Sequence, residues 1–335
     1  MSAALEVLAA SQGGPFTARQ AWTVAGYSKG LIRQRVWSGE WIVLRRGIYV
    51  DRQLLEGCGE SDGRRHAVSV AAALLAFGSH SGTASTAITV GNSGNCGNRG
   101  WPPLVVGSHH SAARLLGIDL LSWPDAPTLT RLPKAPGTKM PPGVQLYRSS
   151  LPERHVSIIQ RVPVTSPART VVDLARALPF VDAVVAADAA LRARITNPPE
   201  LRNVLGDCRH WPGVRYAAKV VEFADPWAES VLESIARVVF AEHELPPPQT
   251  QVPIIDGPSI VARVDFYWKQ YRTIAETDGL LKYTSADVLR AEKLRQERLA
   301  DLGYEIVRIT WPQITKQPAE TAARIRRAFA RAARL

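Results

Sequence analysis

The chain has 335 residues, 46% hydrophobic and 21% charged, which excludes a disordered or a fibrous chain. Lysine and arginine total 41 against 30 acidic residues, a net charge of +11 that points to a polyanionic partner, nucleic acid being the commonest. The three cysteines, Cys58, Cys96 and Cys208, show no CxxC spacing, which argues against a zinc ribbon or a disulfide framework and suits a reducing cytoplasm.

The opening residues MSAALEVLAASQGG lack a basic leader and carry Glu6, so they do not read as a signal peptide. No window has the apolar length of a membrane span. The pattern predicts a helix over 3–10, ended by Gly13-Gly14. A second helix runs from a Thr17 cap to Val24 and closes at Gly26, and a third is capped by Ser28 and runs from Lys29 to Ser38. Gly39 stops it. Residues 41–44 and 47–50 then form a hairpin with Arg45 and Arg46 at its tip. Three short helices followed by a two-stranded wing is the winged helix-turn-helix arrangement.

The middle region reads as mixed α/β. Residues 64–77 form a buried helix. In 78–100, 16 of 23 residues are Gly, Ser, Thr or Asn, which predicts a loop or insertion broken by a strand-like 87–90. Its glycines match no phosphate-binding pattern. A helix near 112–116, a Pro-rich stretch to Pro142 and strands at 143–149 and 158–163 follow. Helices are expected at 167–178 and 180–192, with Pro198-Pro199 and Asp225-Pro226 as punctuation. The last region gives a helix over 226–244 and strands at 250–255, 260–268 and 272–277. A helix over 285–302, a strand at 304–310 and a basic helix complete the order α-β-β-β-α-β-α. Three domains are therefore expected: 1–58, 59–225 and 226–335, with net charges of +3, +6 and +2.

The chemistry-bearing residues lie at the two ends. Glu229 and Glu233 share one helix face, Asp265 lies within an apolar strand, and Glu276 and Asp278 end the next strand on one side of it. Carboxylates in apolar strands need compensation. A shared Mg²⁺ is one way to supply it, and the ion would activate water against a phosphodiester, with Lys282 as the orienting group. The alternative is that Asp265 pairs with Arg263 or Arg272 and that Glu276 and Asp278 cap a loop. At the N-terminus, Lys29, Arg33 and Gln34 open the recognition helix, the latter two suited to guanine and adenine edges. Arg35 suits a phosphate, and Arg45 and Arg46 suit the backbone or the minor groove. The alternative here is a solvated basic face. His109-His110 reads as a polar loop pair, Trp211, Trp227, Trp268 and Trp311 as packing, and the five arginines from Arg324 to Arg334 as a phosphate grip or a solvated face.

Two resemblances follow from these residues. Ala228-Glu-Ser-Val-Leu-Glu-Ser234, Val261-Ala-Arg-Val-Asp-Phe266, Ile274-Ala-Glu-Thr-Asp-Gly279 and the segment from Arg295 to Trp311 resemble the Vsr-like branch of the PD-(D/E)XK endonuclease superfamily. That resemblance implies a restriction-endonuclease-like fold, with Asp265, Glu276 and Asp278 as metal ligands. It implies Glu233, or alternatively Glu229, as the first-helix acid. Lys282 stands where many members have His, and Asp278 stands where the motif usually has Lys. Phe16-Thr-Ala-Arg-Gln-Ala21, Gly26-Tyr-Ser-Lys29, Gly39-Glu-Trp41 and Arg45-Arg-Gly-Ile-Tyr49 resemble the winged helix of AbiEi-type antitoxins. Val164 to Ala175 resembles the connecting region of long actinobacterial chains of this kind. Two functions are therefore expected. One is a DNA-binding protein with a Mg²⁺-dependent endonuclease domain. The other is an antitoxin-type repressor, with a cognate toxin as partner, whose nuclease-like domain is inactive or structural.

Overall fold

The computed structural model describes residues 1–59, 62–80, 105–133, 141–278 and 286–332, which hold 14 α-helices and three β-sheets. The chain opens with α1 (Ala3–Ser11), β1 (Phe16–Thr17), α2 (Ala18–Ala25), α3 (Lys29–Trp37), β2 (Trp41–Arg45) and β3 (Ile48–Asp51). The sheet order is β1-β3-β2, so the expected hairpin gains a third, two-residue strand that the sequence pattern did not show. The short helix α4 (Arg52–Glu56) follows, then α5 (Asp62–His80).

The middle sheet is built from β4 (Val105–Gly107), β5 (Thr128–Arg131), β6 (Gln145–Arg148), β7 (Val156–Ile159) and β8 (Val162–Thr165), in the order β6-β5-β4-β8-β7. Its β5–β6 and β4–β8 pairs are parallel. The apolar face of α5 (Val70, Ala71, Leu74) packs on Leu129, Val162 and Val164. A Cβ on Gly107 would come within 3.1 Å of both Val70 and Val164, so glycine lets the helix sit this close to the strand. Ala72, Leu75 and Ala76 of α5 also pack on Ile48 of the wing. Helices α6 (His109–Leu116) and α7 (Pro167–Ala177) belong to the same layer, followed by α8 (Phe180–Arg192), α9 (Pro198–Asp207) and α10 (Val214–Phe223).

The last part runs α11 (Val231–Glu242), β9 (Gln249–Asp256), β10 (Ser259–Trp268), β11 (Thr273–Asp278), α12 (Ala286–Asp301), β12 (Glu305–Thr310), α13 (Trp311–Lys316) and α14 (Pro318–Ala332). Its sheet order is β12-β11-β10-β9, parallel only between β11 and β12, the pair that α12 connects. Val264, Ile274 and Leu299 share one apolar cluster, and the rings of Phe240, Phe266, Trp268 and Phe329 stack edge to face in another. By contact density the chain divides into one unit of 1–177 with 196–217, and a second of 178–195 with 218–335.

Several expectations are corrected. The helix expected over 226–244 starts at Val231, because the Ser230 hydroxyl caps it by accepting the Glu233 N–H at 3.1 Å. The strand at 158–163 is a hairpin of two, with Gln160 and Arg161 at positive φ. Pro198-Pro199 opens α9 behind an Asn197 cap. His109 and His110 form the first turn of α6, not a loop, and the basic tail is two helices split by Gln317. The strand-like 87–90 lies outside the described residues. No helix among them is long and apolar enough to cross a membrane.

Candidate nucleic-acid interface

The winged helix owes its shape to local signals. Thr17 and Gln20 form a capping box: the Gln20 N–H donates to Thr17 Oγ1 at 3.1 Å and the Thr17 N–H to Gln20 Oε1 at 2.8 Å. Gly26, at φ 69°, ends α2 in the left-handed region. Ser28 then caps α3 by accepting the Leu31 N–H at 3.2 Å. The rings of Phe16, Tyr27 and Trp41 lie 4.7 and 5.0 Å apart and fill the interior. This leaves one face of α3 outward.

Lys29, Arg33 and Gln34 on that face are exposed, as is Arg46 at the wing tip. Among the described residues no ion pair involves Lys29, Arg33 or Arg46. Arg35 and Arg45 differ from this expectation. Arg35 pairs with Glu40, which also raises its pKa, and Ser38 Oγ donates to the same carboxylate at 3.2 Å. Arg45 donates to the Pro142 carbonyl at 2.7 Å, and burial lowers its pKa. Of the five expected cations, three, Lys29, Arg33 and Arg46, are therefore available. One signal was overlooked in the sequence: no acidic residue occurs between Glu6 and Glu40, and exposed Arg19 of α2 lies in that run.

The C-terminal acids fall into two separate sets. The buried Glu233 carboxylate accepts from Ser230 Oγ (2.8 Å), the Glu229 N–H (2.8 Å) and Gln251 Nε2 (2.9 Å). Gln251, at φ 52°, also donates to Asp265 at 3.3 Å, so one amide joins Glu233 to Asp265. Burial raises the Glu233 pKa and Asp265 adds to the rise, against the Glu229 N–H. Asp265 Oδ2 accepts from the Thr277 N–H and hydroxyl at 2.8 and 2.7 Å. In the second set, Glu276 takes a bidentate guanidinium from Arg295 at 2.7 and 3.0 Å. Arg308 Nη1 donates to both Asp278 oxygens at 3.2 and 3.0 Å, and its Nη2 lies 3.9 Å from Glu276.

The alternative pairing for Asp265 is corrected as well: Arg263 pairs with Glu229 at 2.7 Å, and Arg272 donates to the carbonyls of Leu302 and Gly303. Arg295 and Arg308 were not singled out in the sequence. The parallel register setting Arg308 beside Glu276 comes from pairing of strands about thirty residues apart. Lys282 lies outside the described residues. Arg324 donates to the Arg308 carbonyl and Arg326 to that of His243, Arg327 pairs with Glu320 and Arg331 with Glu305, so the four described arginines of the tail are engaged within their own unit, and Arg334 lies outside the described residues.

As arranged, these donors do not fit a magnesium ion. Glu276 and Asp278 face guanidinium groups that would have to leave first, and Asp265 is held by Thr277 and Gln251. Among the described residues no group of three or more His, Cys, Asp or Glu is placed to hold a metal.

The middle region holds a different charged network. Arg169 is fully buried and donates to Asp173 (2.8 Å), Ser149 Oγ (2.7 Å), the Ser150 carbonyl (3.0 Å) and His155 Nδ1 (3.0 Å). Trp211 stacks against it at 4.5 Å. His155 Nε2 lies 2.8 Å from Asp207, so the neutral ring that accepts from Arg169 donates there. His109, buried and stacked at 3.7 Å on Tyr147, has a pKa pushed down to about 4 by burial.

Residues 4–50, which contain the capping box, the cap of α3 and the aromatic interior of the winged helix, match the family model described as a transcriptional regulator, AbiEi antitoxin. Two uncharacterized proteins of Mycobacterium tuberculosis, from strains CDC 1551 and H37Rv, are each 36% identical to the chain over 200 residues. The match covers 59% of the chain and 73% of each relative. The chain belongs to the family of these two proteins. This member of the family thus carries an AbiEi-type regulator domain at its N-terminus, with α3 as the outward helix.

Proposed function

We propose that the protein is a DNA-binding transcriptional regulator of AbiEi antitoxin type. Helix α3 would enter the major groove with Lys29 and Gln34 toward the base edges, Arg33 would hold a flanking phosphate, and Arg46 would reach the phosphates from the wing. The observation that carries this reading is the acid-free run from 7 to 39, with exposed, unpaired cations on the helix that the regulator model covers. A toxin as protein partner follows from the antitoxin likeness and belongs to the same proposal. In this reading the C-terminal acids are structural, each held by arginine, threonine or glutamine.

The test is one preparation of the full chain given labelled duplex DNA and, separately, supercoiled plasmid with Mg²⁺ or EDTA. A salt-sensitive gel shift with intact plasmid is expected. Mg²⁺-dependent nicking that Asp278→Ala abolishes would overturn the structural role of the acids and support the nuclease reading instead. Absence of any shift would overturn the DNA-binding reading.

A further inference from the structure

The interior of the winged helix already holds its aromatic residues, Phe16, Tyr27, Trp41 and Tyr49. Two tryptophans lie outside it. Trp37 at the end of α3 is 91% exposed, and Trp22 on α2 is 69% exposed. Among the described residues neither indole has a ring or cation partner. Their positions along the helices are regular. Lys29, Arg33 and Trp37 are four residues apart and form one exposed stripe on α3. On α2, exposed Arg19 precedes Trp22 by three, so it too lies one turn before an outward indole.

We propose that Trp22 and Trp37 are DNA contacts. Each indole packs on deoxyribose faces beside a phosphate held by the cation one turn earlier, Arg19 for Trp22 and Arg33 for Trp37. The inference rests on the DNA-binding reading above and adds an apolar component to it. A large aromatic surface left in water on a small domain marks an interaction site, and tryptophan is the residue most often found to dominate one. The charge around the indoles selects the partner. The stripe has cations and no acid, so a phosphate backbone fits it, whereas two copies of this face would set like charges together.

The two kinds of contact differ in salt dependence. A cation on a phosphate releases counterions, so each one lost lowers the slope of log Kd against log salt by about 0.9. An indole on a sugar releases none. The probe is a fluorescein-labelled random-sequence duplex of about 30 base pairs, three helical turns, with affinity read by anisotropy over a salt series. Trp37→Ala and Trp22→Ala are expected to weaken binding of the full chain about tenfold each at every salt concentration, with the slope unchanged. Trp37→Phe should recover most of the loss. Both side chains are exposed, so the melting temperature should stay at the wild-type value.

If the wild type binds the duplex and both alanine variants bind equally well, the inference is wrong while the DNA reading stands. If the variants keep DNA affinity but lose self-association in sedimentation velocity, the indoles belong to an interface between copies and the inference is overturned. If the wild type binds no duplex at any salt concentration, the DNA reading itself fails.

Discussion

Between Glu6 and Glu40 the N-terminal domain carries four cations and no acid, and Arg19, Lys29 and Arg33 point to solvent. After Val231 the arginines are handled differently. Arg295 and Arg308 take Glu276 and Asp278, Arg298 takes Asp256, and Arg331 takes Glu305. Both regions are rich in arginine, yet among the described residues Lys29, Arg33 and Arg46 in the first have no ion pair, whereas most of the arginines in the second face a carboxylate. Net charge therefore misleads as a guide to an interface. A guanidinium already facing a carboxylate has no field left to steer a polyanion, while an unpaired one beside other cations has its full field. The middle region extends the contrast inward, because its Arg169 is both fully buried and fully engaged.

The largest expected effect lies there. Arg169→Ala leaves the Asp173 carboxylate with Arg176 alone, and it strips donors from Ser149, the Ser150 carbonyl and His155. Removing one partner of a buried pair costs about 3–5 kcal/mol. Urea denaturation should show a loss of that size in the unit that holds 1–177. Arg169→Lys should recover little, since an ammonium cannot reproduce the fork. A loss below about 0.5 kcal/mol, the scale of an ordinary surface substitution, would remove the distinction between internal and available charge.

A second effect is set by pH. His109 has its pKa pushed down to about 4 by burial, against about 6.5 in an unfolded chain. The unfolded state therefore binds the proton first. Stability is complete above pH 6.5 and falls as pH drops toward 4, by roughly 3 kcal/mol at about 1.4 kcal/mol per unit. His109 sits at φ 49°, a region asparagine tolerates, so His109→Asn is the variant to compare. It should flatten the stability profile between pH 6.5 and 4. An unchanged slope would mean that another group titrates there.

Parts of this were readable from sequence and parts were not, for a physical reason in each case. Thr17, Gly26, Ser28 and Gly39 are capping and stopping signals that act within a few residues, so the winged helix was delineated nearly to the residue. β4 and β5, of three and four residues, carry almost no periodicity and exist through pairing with β8 and β6. They went unseen. The same distinction separates the two sites. Lys29, Arg33 and Gln34 are presented by a local helix, and their exposure follows from its pattern. Arg45 meets Pro142 across 97 residues, and Glu276 meets Arg295 across 19, so these partners depend on tertiary packing.

The smallest effect is the most direct probe of the comparison, because it lies within a single helix. Arg33 and Arg35 are two residues apart on α3 and therefore do not share a face. Arg33 is exposed and without an ion pair, whereas Arg35 pairs with Glu40. On duplex DNA, Arg33→Ala should lower the salt slope by about 0.9, the value of one phosphate contact. Arg35→Ala should lower it by less than half as much, because the pair is close to neutral before binding. It should also weaken affinity slightly, since the Glu40 carboxylate left behind repels phosphate. The control is Glu40→Gln, which frees Arg35 and should raise both affinity and slope. Equal slopes for Arg33→Ala and Arg35→Ala would show that the Arg35–Glu40 pair opens on DNA. An ion pair at the edge of the interface would then be a reserve of charge, and only the arginines held by buried acids would stay unavailable.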